Sequence, residues 1–336
     1  MSRRNRIFQR PMTAVLAMGL LLVSILPTVM LTSCGRRGAY TSTYLDVFDT
    51  VLTVTVGADS HEDAAAVTTA IHDIALDLHR RFDIYHTYDG ITNLCDVNRA
   101  AGGDPVKVDI DILSLLQMGR AVYLRSQGTV NVMIGALTSL WHDARIAGGP
   151  IPDPAALDAA CTHISIDALV IDWESHTVAI TDPRASLDVG ALAKGYVMKQ
   201  VQEYARREGI DSLLVNLGGH ILALGNHPDG EAWRVSVARP GDTPLSLSVT
   251  DASVVTSADN QRTFRVDGVD YHHIIDPATA YPATAHRSVT ILVPLPHTAE
   301  ADAYSTALFI LPDADGRSLL DEIDGARLIH KEGGMP

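Results

Sequence analysis

The sequence predicts an α+β fold, and three observations carry that prediction. One stretch, Val51–Val56, alternates and is β-branched, as a half-buried strand requires. Another, about His61 to Arg81, places Val67, Ile71, Ile74 and Leu78 at three- and four-residue spacing, the stripe of an amphipathic helix. Further short strands and helices then follow without the regular βαβ alternation of a parallel sheet.

The elements follow in order. A second helix is predicted from Asp111 to Gln127, stopping at Gly128, a residue suited to a helix C-terminus. Gly148–Pro154 is rich in Gly and Pro and reads as a loop and a candidate subdomain seam. A third helix covers about Ala191 to Glu208, with Leu192, Tyr196, Val201 and Tyr204 inward and Gly209 after it. Short strands are expected at Ser212–Asn216, Trp233–Ala238, Leu245–Val249, Thr263–Val266 and Ser288–Val293. A helix from Ala299 to Ile310 then precedes a short tail.

Composition excludes several classes. A chain of 336 residues with 46% hydrophobic residues can bury a sizeable core, so it is not mainly disordered. A net charge of -14 leaves no basic surplus for a phosphate backbone, so no nucleic-acid partner is expected. Three cysteines supply neither a disulfide framework nor the usual thiolate zinc site. Aromatic residues at 5% disfavour a stacking platform.

The amino terminus reads as an export address. Arg3, Arg4, Arg6 and Arg10 precede an almost wholly apolar run from Thr13 to Thr32, and Leu31-Thr32-Ser33-Cys34-Gly35 follows. The ending resembles a bacterial lipobox, so residues 1–33 are expected to be a signal peptide with Cys34 lipidated. An ordinary signal and an uncleaved membrane span are the competing readings, and all three place the remainder outside the cytoplasmic membrane. Residues 34–44 are then a short tether and 45–331 the functional domain. Losing the first 33 residues takes four arginines and no acid away from -14, which leaves -18. Cys95 and Cys161 are read as structural residues.

Four constellations carry chemistry. In Ser186–Tyr196, an acid at an apolar strand end, Asp188, precedes a glycine turn that opens into a helix. Free N–H groups and the positive helix end collect there, which suits a phosphate or pyrophosphate, with Lys194 in reach. It is no Walker loop, because GxxxxGK[ST] is absent; a strand–turn–helix with a capping Asp is the plain structural alternative. Asp302 and Thr306 are i and i+4 on one helix face with Ser305 close by, a part-site for a hard cation such as Mg²⁺ or simply a helix N-terminal acid. His272-His273 reads as the end of a strand whose alternation allows one imidazole to face a site and act as a base; a hydrogen-bonded structural histidine is the alternative. Asn216-Leu217-Gly218-Gly219-His220 allows either close ligand approach or a tight hairpin.

In this order and spacing the motifs resemble the ApbE flavin-transferase family, from Phe48 to about Leu311. Phe48-Asp49-Thr50 with the following strand is similar to the family's opening. Phe82-Asp83-Ile84-Tyr85 and Thr92–Arg99 resemble its tyrosine and Ser-Glu-x-Ser-x-x-Asn segment, and Gly128-Thr129-Val130-Asn131 to Leu137 its Gly-x-Phe-Asp…Gly-Pro-Leu stretch. Leu187–Tyr196 is close to its most distinctive motif, and Asn216–Gly219, Thr256-Ser257, His272–Pro277 and Asp302…Thr306 complete the series. The resemblance implies a single large mixed sheet domain of the T-fold-like ApbE type. It implies an Mg²⁺-dependent FAD:protein FMN transferase that moves FMN from FAD to a threonine hydroxyl of an exported acceptor with an FMN-binding domain, releasing AMP. FAD is then substrate rather than resident cofactor. Water at the same site would give FAD hydrolysis, and a silenced site an FAD-binding lipoprotein.

The same resemblance implies the site residues. The Ala191 carbonyl, Asp302 and Thr306 would bind the metal, with Ser305 adding an oxygen. Phe48, Tyr85, Thr129, Val130, Asn131, Asp188, Lys194 and Ile274 match flavin-nucleotide positions. His273 would stand near the attacking hydroxyl, with His272 able to exchange roles with it. Departures from the family pattern are Phe48 for methionine, Asp49 for glycine, Asn131 for aspartate, His220 for an acidic or amide residue, and Ala258 and Ala280 for glycines. Alanine disfavours positive φ by about 1 kcal/mol, so the last two turns are expected to be reshaped.

Overall fold

The computed structural model describes residues 37–239 and 243–333. The expected signal peptide and lipidated Cys34 lie outside the described residues. In chain order the elements are β1 (Gly38–Val47), β2 (Thr50–Ala58), α1 (His61–Phe82), α2 (Leu94–Arg99), β3 (Val106–Lys107), α3 (Ile110–Arg125), α4 (Gly135–Ala147), α5 (Pro154–Cys161), β4 (Leu169–Asp172), β5 (Thr177–Ile180) and α6 (Ala193–Glu208). There follow β6 (Ser212–Leu217), β7 (His220–Gly225), β8 (Trp233–Val237), β9 (Leu245–Val249), β10 (Ala252–Ala258), β11 (Phe264–Val266), β12 (Val269–Tyr271), β13 (His286–Pro294), α7 (Ala301–Ile310), α8 (Asp313–Asp321) and β14 (Arg327–Gly333).

Among the described residues the main sheet has seven strands in the order β1-β2-β6-β7-β10-β13-β14, each pair antiparallel. This is the α+β arrangement that the mixed pattern predicts. The alternation of β2 is real: Leu52, Val54 and Val56 are buried and the threonines between them are not. α1 covers β1 and β2, and α7 covers β10 and β13. The helix α1 starts where Ser60 Oγ accepts the N–H of Asp63 at 3.1 Å, with acids in its first turn and bases in its last. Its buried stripe Ala64, Ile71, Ala75, Leu78 and Phe82 faces the sheet, each large side chain contributing about 1.5–3 kcal/mol. On the other face the hairpin β8–β9 seals a second core around Trp233, Val235 and Val254.

Several expectations need correction. Residues 34–44 are not a tether from residue 38 on, because Gly38–Val47 forms an edge strand paired with β2. Its residues alternate only between exposed and half-buried, so the sequence offers no apolar face to read. The chain after α7 is no short tail: α8 packs on α7 and β14 closes the sheet edge. Helix α3 ends at Arg125, and Gly128 lies beyond it in the loop with φ 85°. Gly148–Pro154 connects α4 to α5, which pack on each other, so no seam lies there. The strand of the histidine segment stops at Tyr271. Cys95 and Cys161 are both free thiols. Among the described residues no helix is long and apolar enough to cross a membrane.

Candidate active site

The turn before α6 is fixed from three sides. Asn98 holds both backbone groups of Leu187, its Nδ2 donating to the carbonyl at 3.1 Å and its Oδ1 accepting the N–H at 2.7 Å. Asp188 N–H donates to Val132 O at 2.8 Å. The Asp188 carboxylate accepts from Gly190 N at 2.9 Å and from Thr138 Oγ1 at 2.8 Å. Both Asp188 oxygens thus shape the turn while the residue still lines the cavity below it. The helix proper begins at Ala193, which puts Lys194 in the first turn, beside the free N–H groups.

Gly195 then lets α6 touch the segment leading into α7. A Cβ there would stand 2.2 Å from the carbonyl oxygen of Ala299. Through this contact the two distant stretches converge: Lys194 Nζ lies 3.4 Å from Asp302 Oδ1. His220, which follows the Gly218-Gly219 hairpin turn (φ 56° and 94°), is fully buried with Nδ1 3.3 Å from Asp302 Oδ2. Burial alone would raise the Asp302 pKa, but Lys194 and then His220 more than offset it, so the group is held below the usual carboxylate range.

Around this point opens a cavity of about 760 Å³. Its walls bring together Phe48, Tyr85, Thr129, Val130, Asn131, Asp188, Ala191, Lys194, His273, Ile274, Asp302 and Thr306. Ser305 is not on that wall. Its hydroxyl donates back to Asp302 O at 2.9 Å and meets Ser257 Oγ at 2.8 Å, and the residue is fully buried.

The two histidines separate cleanly. His272 is buried; its Nε2 donates to Ala283 O at 2.9 Å and its Nδ1 accepts from Ile274 N at 3.2 Å. With both nitrogens committed it is a structural group and cannot exchange roles with His273. His273 has protein on most sides but an accessible face toward the cavity. Its Nδ1 donates to Gln261 O at 3.1 Å, which leaves Nε2 bare as an acceptor. Burial first, then the nearby Arg262, pushes its pKa down to about 4, so it is neutral at pH 7.

The departures from the family pattern read differently in three dimensions. Asn131 Nδ2 donates to Ile164 O at 2.7 Å and Oδ1 accepts from Met133 N at 2.9 Å, so it locks its own loop. Ala258 lies in β10 with extended pairing to Ser288, so no positive φ is needed and that turn is not reshaped. Ala280 does adopt φ 66°, held there by its N–H to Asp276 O and by Trp141 Nε1 donating to its carbonyl, both at 2.9 Å. The turn keeps its left-handed residue and carries the cost.

Sequence reasoning missed part of the wall. His79, Thr138, Trp141, His142 and Arg262 all line the cavity. The rings of Tyr85 and His142 stack at 4.7 Å and 23°. Burial pushes the Tyr85 hydroxyl up to about 12. Thr138, Trp141 and His142 sit on α4, whose Leu137 and Trp141 at i and i+4 were the available signal.

The family model described as the ApbE family matches residues 48–329. The chain belongs to the ApbE family. It is 35% identical over 284 residues to the FAD:protein FMN transferase of Treponema pallidum, covering 79% of this chain and 78% of that one. It is 31% identical over 250 residues to one of Klebsiella pneumoniae, covering 71% and 76%. Among solved structures, the ApbE protein of Thermotoga maritima superposes with TM-score 0.75 at 25% identity, covering 88% of this chain and 96% of that chain. The flavin transferase ApbE of Vibrio cholerae superposes with TM-score 0.72 at 23% identity, over 86% and 93%.

Whether a metal fits is decided by the oxygen donors on the cavity wall. Among the described residues no group of three or more His, Cys, Asp or Glu comes together to hold an ion. What is present is one carboxylate whose buried Oδ2 lacks a hydrogen-bond partner, beside Thr306 and Ala191 on the same wall. Hard oxygens of this kind fit Mg²⁺. Lys194 lies 3.4 Å from Asp302 and already balances part of its charge.

Proposed function

We propose that this ApbE-family chain transfers FMN from FAD to a threonine hydroxyl of an exported acceptor protein, releasing AMP, in an Mg²⁺-dependent reaction. The relatives' names as FAD:protein FMN transferases support the transfer. The observation that carries the reading is the 3.4 Å approach of Lys194 to Asp302 inside a cavity that also holds a neutral His273.

In this mechanism Lys194 and the α6 N-terminus bind the diphosphate bridge of FAD. Tyr85 and His142 offer stacked rings to a flat heterocycle. Asp302, Thr306 and the Ala191 carbonyl would hold Mg²⁺, which neutralises charge on the phosphates. His273 Nε2 accepts the proton of the acceptor hydroxyl as its oxygen bonds to the FMN-side phosphorus. The phosphoanhydride bond breaks, its electron pair leaves with AMP, and FMN remains as a phosphoester on the acceptor.

Incubation with FAD, Mg²⁺ and a recombinant FMN-binding domain tests this. Flavin fluorescence on the acceptor after denaturing electrophoresis supports transfer, whereas free FMN and AMP without labelling identify a hydrolase. Flavin that stays bound as intact FAD identifies a binding protein. The export reading adds a lipid anchor on Cys34 and an extracytoplasmic site. Labelled palmitate should enter the wild type but not Cys34→Ala; equal labelling of both contradicts the anchor.

A further inference from the structure

Three residues other than glycine at the cavity mouth hold left-handed backbone. Phe48 (φ 53°) and Asp49 (φ 51°) form the two-residue connection between β1 and β2, where Val47 pairs with Thr50. That turn geometry favours Asn-Gly. Arg262 (φ 48°) lies across from them in loop 259–263. A long unbranched side chain gains nothing locally from that conformation, which crowds any Cβ against the neighbouring carbonyl oxygen. Strain of this kind persists only where surrounding contacts impose it.

The contacts are specific. Arg262 Nη2 donates to Phe48 O at 3.2 Å and stands 3.9 Å from Asp49 Oδ2. The Phe48 turn is itself seated on α1, its N–H donating to His79 Nδ1 at 3.2 Å. The start of the loop is pinned to β13 through Asp259, which accepts from Arg287 Nε at 3.1 Å. Between those two anchors lies Gln261, whose carbonyl accepts the Nδ1 proton of His273 at 3.1 Å. One peptide unit separates the clasp from the group that sets the tautomer.

We propose that Arg262 is a positioning residue for the transfer step: by clasping the Phe48–Asp49 turn it holds Gln261 O where it fixes the His273 proton on Nδ1 and leaves Nε2 bare. The inference rests on reading His273 as the base. A surface ion pair to Asp49 contributes little, so the neutral acceptor Phe48 O is the essential partner. The charged or titratable groups acting on His273 are Arg262, Lys194 and His272. Removing the first removes one of the causes that keep His273 neutral.

The test measures FMN transfer from FAD to a recombinant FMN-binding domain, with kcat, KM for FAD and the pH profile of kcat. Arg262→Ala should lower kcat about 10-fold through misplacement of the base. KM should stay within about 3-fold, and the acid limb of the profile should move to higher pH. Arg262→Gln, which keeps a donor but not the charge, should recover most of kcat with the limb still displaced; Arg262→Lys should restore the limb. An unchanged kcat in Arg262→Ala overturns the proposal. So does a rise in KM alone, which would make Arg262 a nucleotide-binding group, or a lost thermal stability with an unmoved pH profile. His273→Ala separates the two levels. If that variant is inert while Arg262→Ala is normal, only the positioning role fails. If it transfers at the wild-type rate, the base assignment fails and the positioning role with it.

Discussion

Gly195→Ala sets two effects of opposite sign against each other. On helix propensity alone, alanine in the first turn of α6 should stabilise the protein by about 0.5–1 kcal/mol. Yet the new methyl would lie 2.2 Å from Ala299 O and 3.0 Å from Ala299 C, both backbone atoms that cannot rotate away. Relief requires α6 and the entry to α7 to separate by about 1 Å, an overpacking cost of about 1–3 kcal/mol. The clash wins, for a net loss of about 1–2 kcal/mol and a fall in Tm of about 2–8 °C for a chain of this size. Because the same contact brings Lys194 to Asp302, turnover should fall by up to about 10²-fold. Calorimetry and AMP release on the purified variant check both. A variant as stable as the wild type or more so, with full turnover, would refute the packing argument.

Asn131→Asp should destabilise by about 1–3 kcal/mol at pH 7, because an ionised carboxylate would face Ile164 O with no proton to donate; denaturant unfolding at pH 7 against pH 4 should show the penalty shrink as the acid protonates. His273, with its pKa pushed down to about 4, loses its role as base only below that value, so the acid limb of kcat/KM should lie nearer pH 4 than 6.5; a limb at 6.5 contradicts the burial argument. The same depression means that the unfolded chain takes up this proton first, so its contribution to stability is full above about 6.5 and declines as pH falls toward 4. Mg²⁺ should bind weakly to the protein alone and much more tightly once FAD is present, since among the described residues Asp302 is the one cavity-lining carboxylate with an unpartnered buried oxygen; calorimetric titration with and without FAD distinguishes this from a preformed site.

The parts of the fold that were legible in the sequence are those that bury one face. α1 and α6 carry apolar stripes ending at Asp83 and Gly209, and β9 alternates over its whole length. β1 was not legible because an edge strand with no fully buried face until Val47 has no period to detect. The inner part of α7 is buried on nearly every side, so its pattern reads as an apolar run rather than a stripe. At the site, the motif residues were visible but not their division of labour. Asn98 proved to hold the Leu187 backbone, Ser305 to stand behind Asp302, and His272 to be committed at both nitrogens. Arg262 was invisible because its importance lies in a backbone conformation and a contact 214 residues away in sequence.

Asp302, with the turn before α6, is the carboxylate proposed to hold a cation and a diphosphate. The most direct measurement is AMP release from FAD as a function of Mg²⁺ concentration in Asp302→Asn, a near-isosteric change, after circular dichroism has shown the variant folded. Release should fall to background at every Mg²⁺ concentration; a Mg²⁺ dependence and rate close to wild type would contradict the assignment.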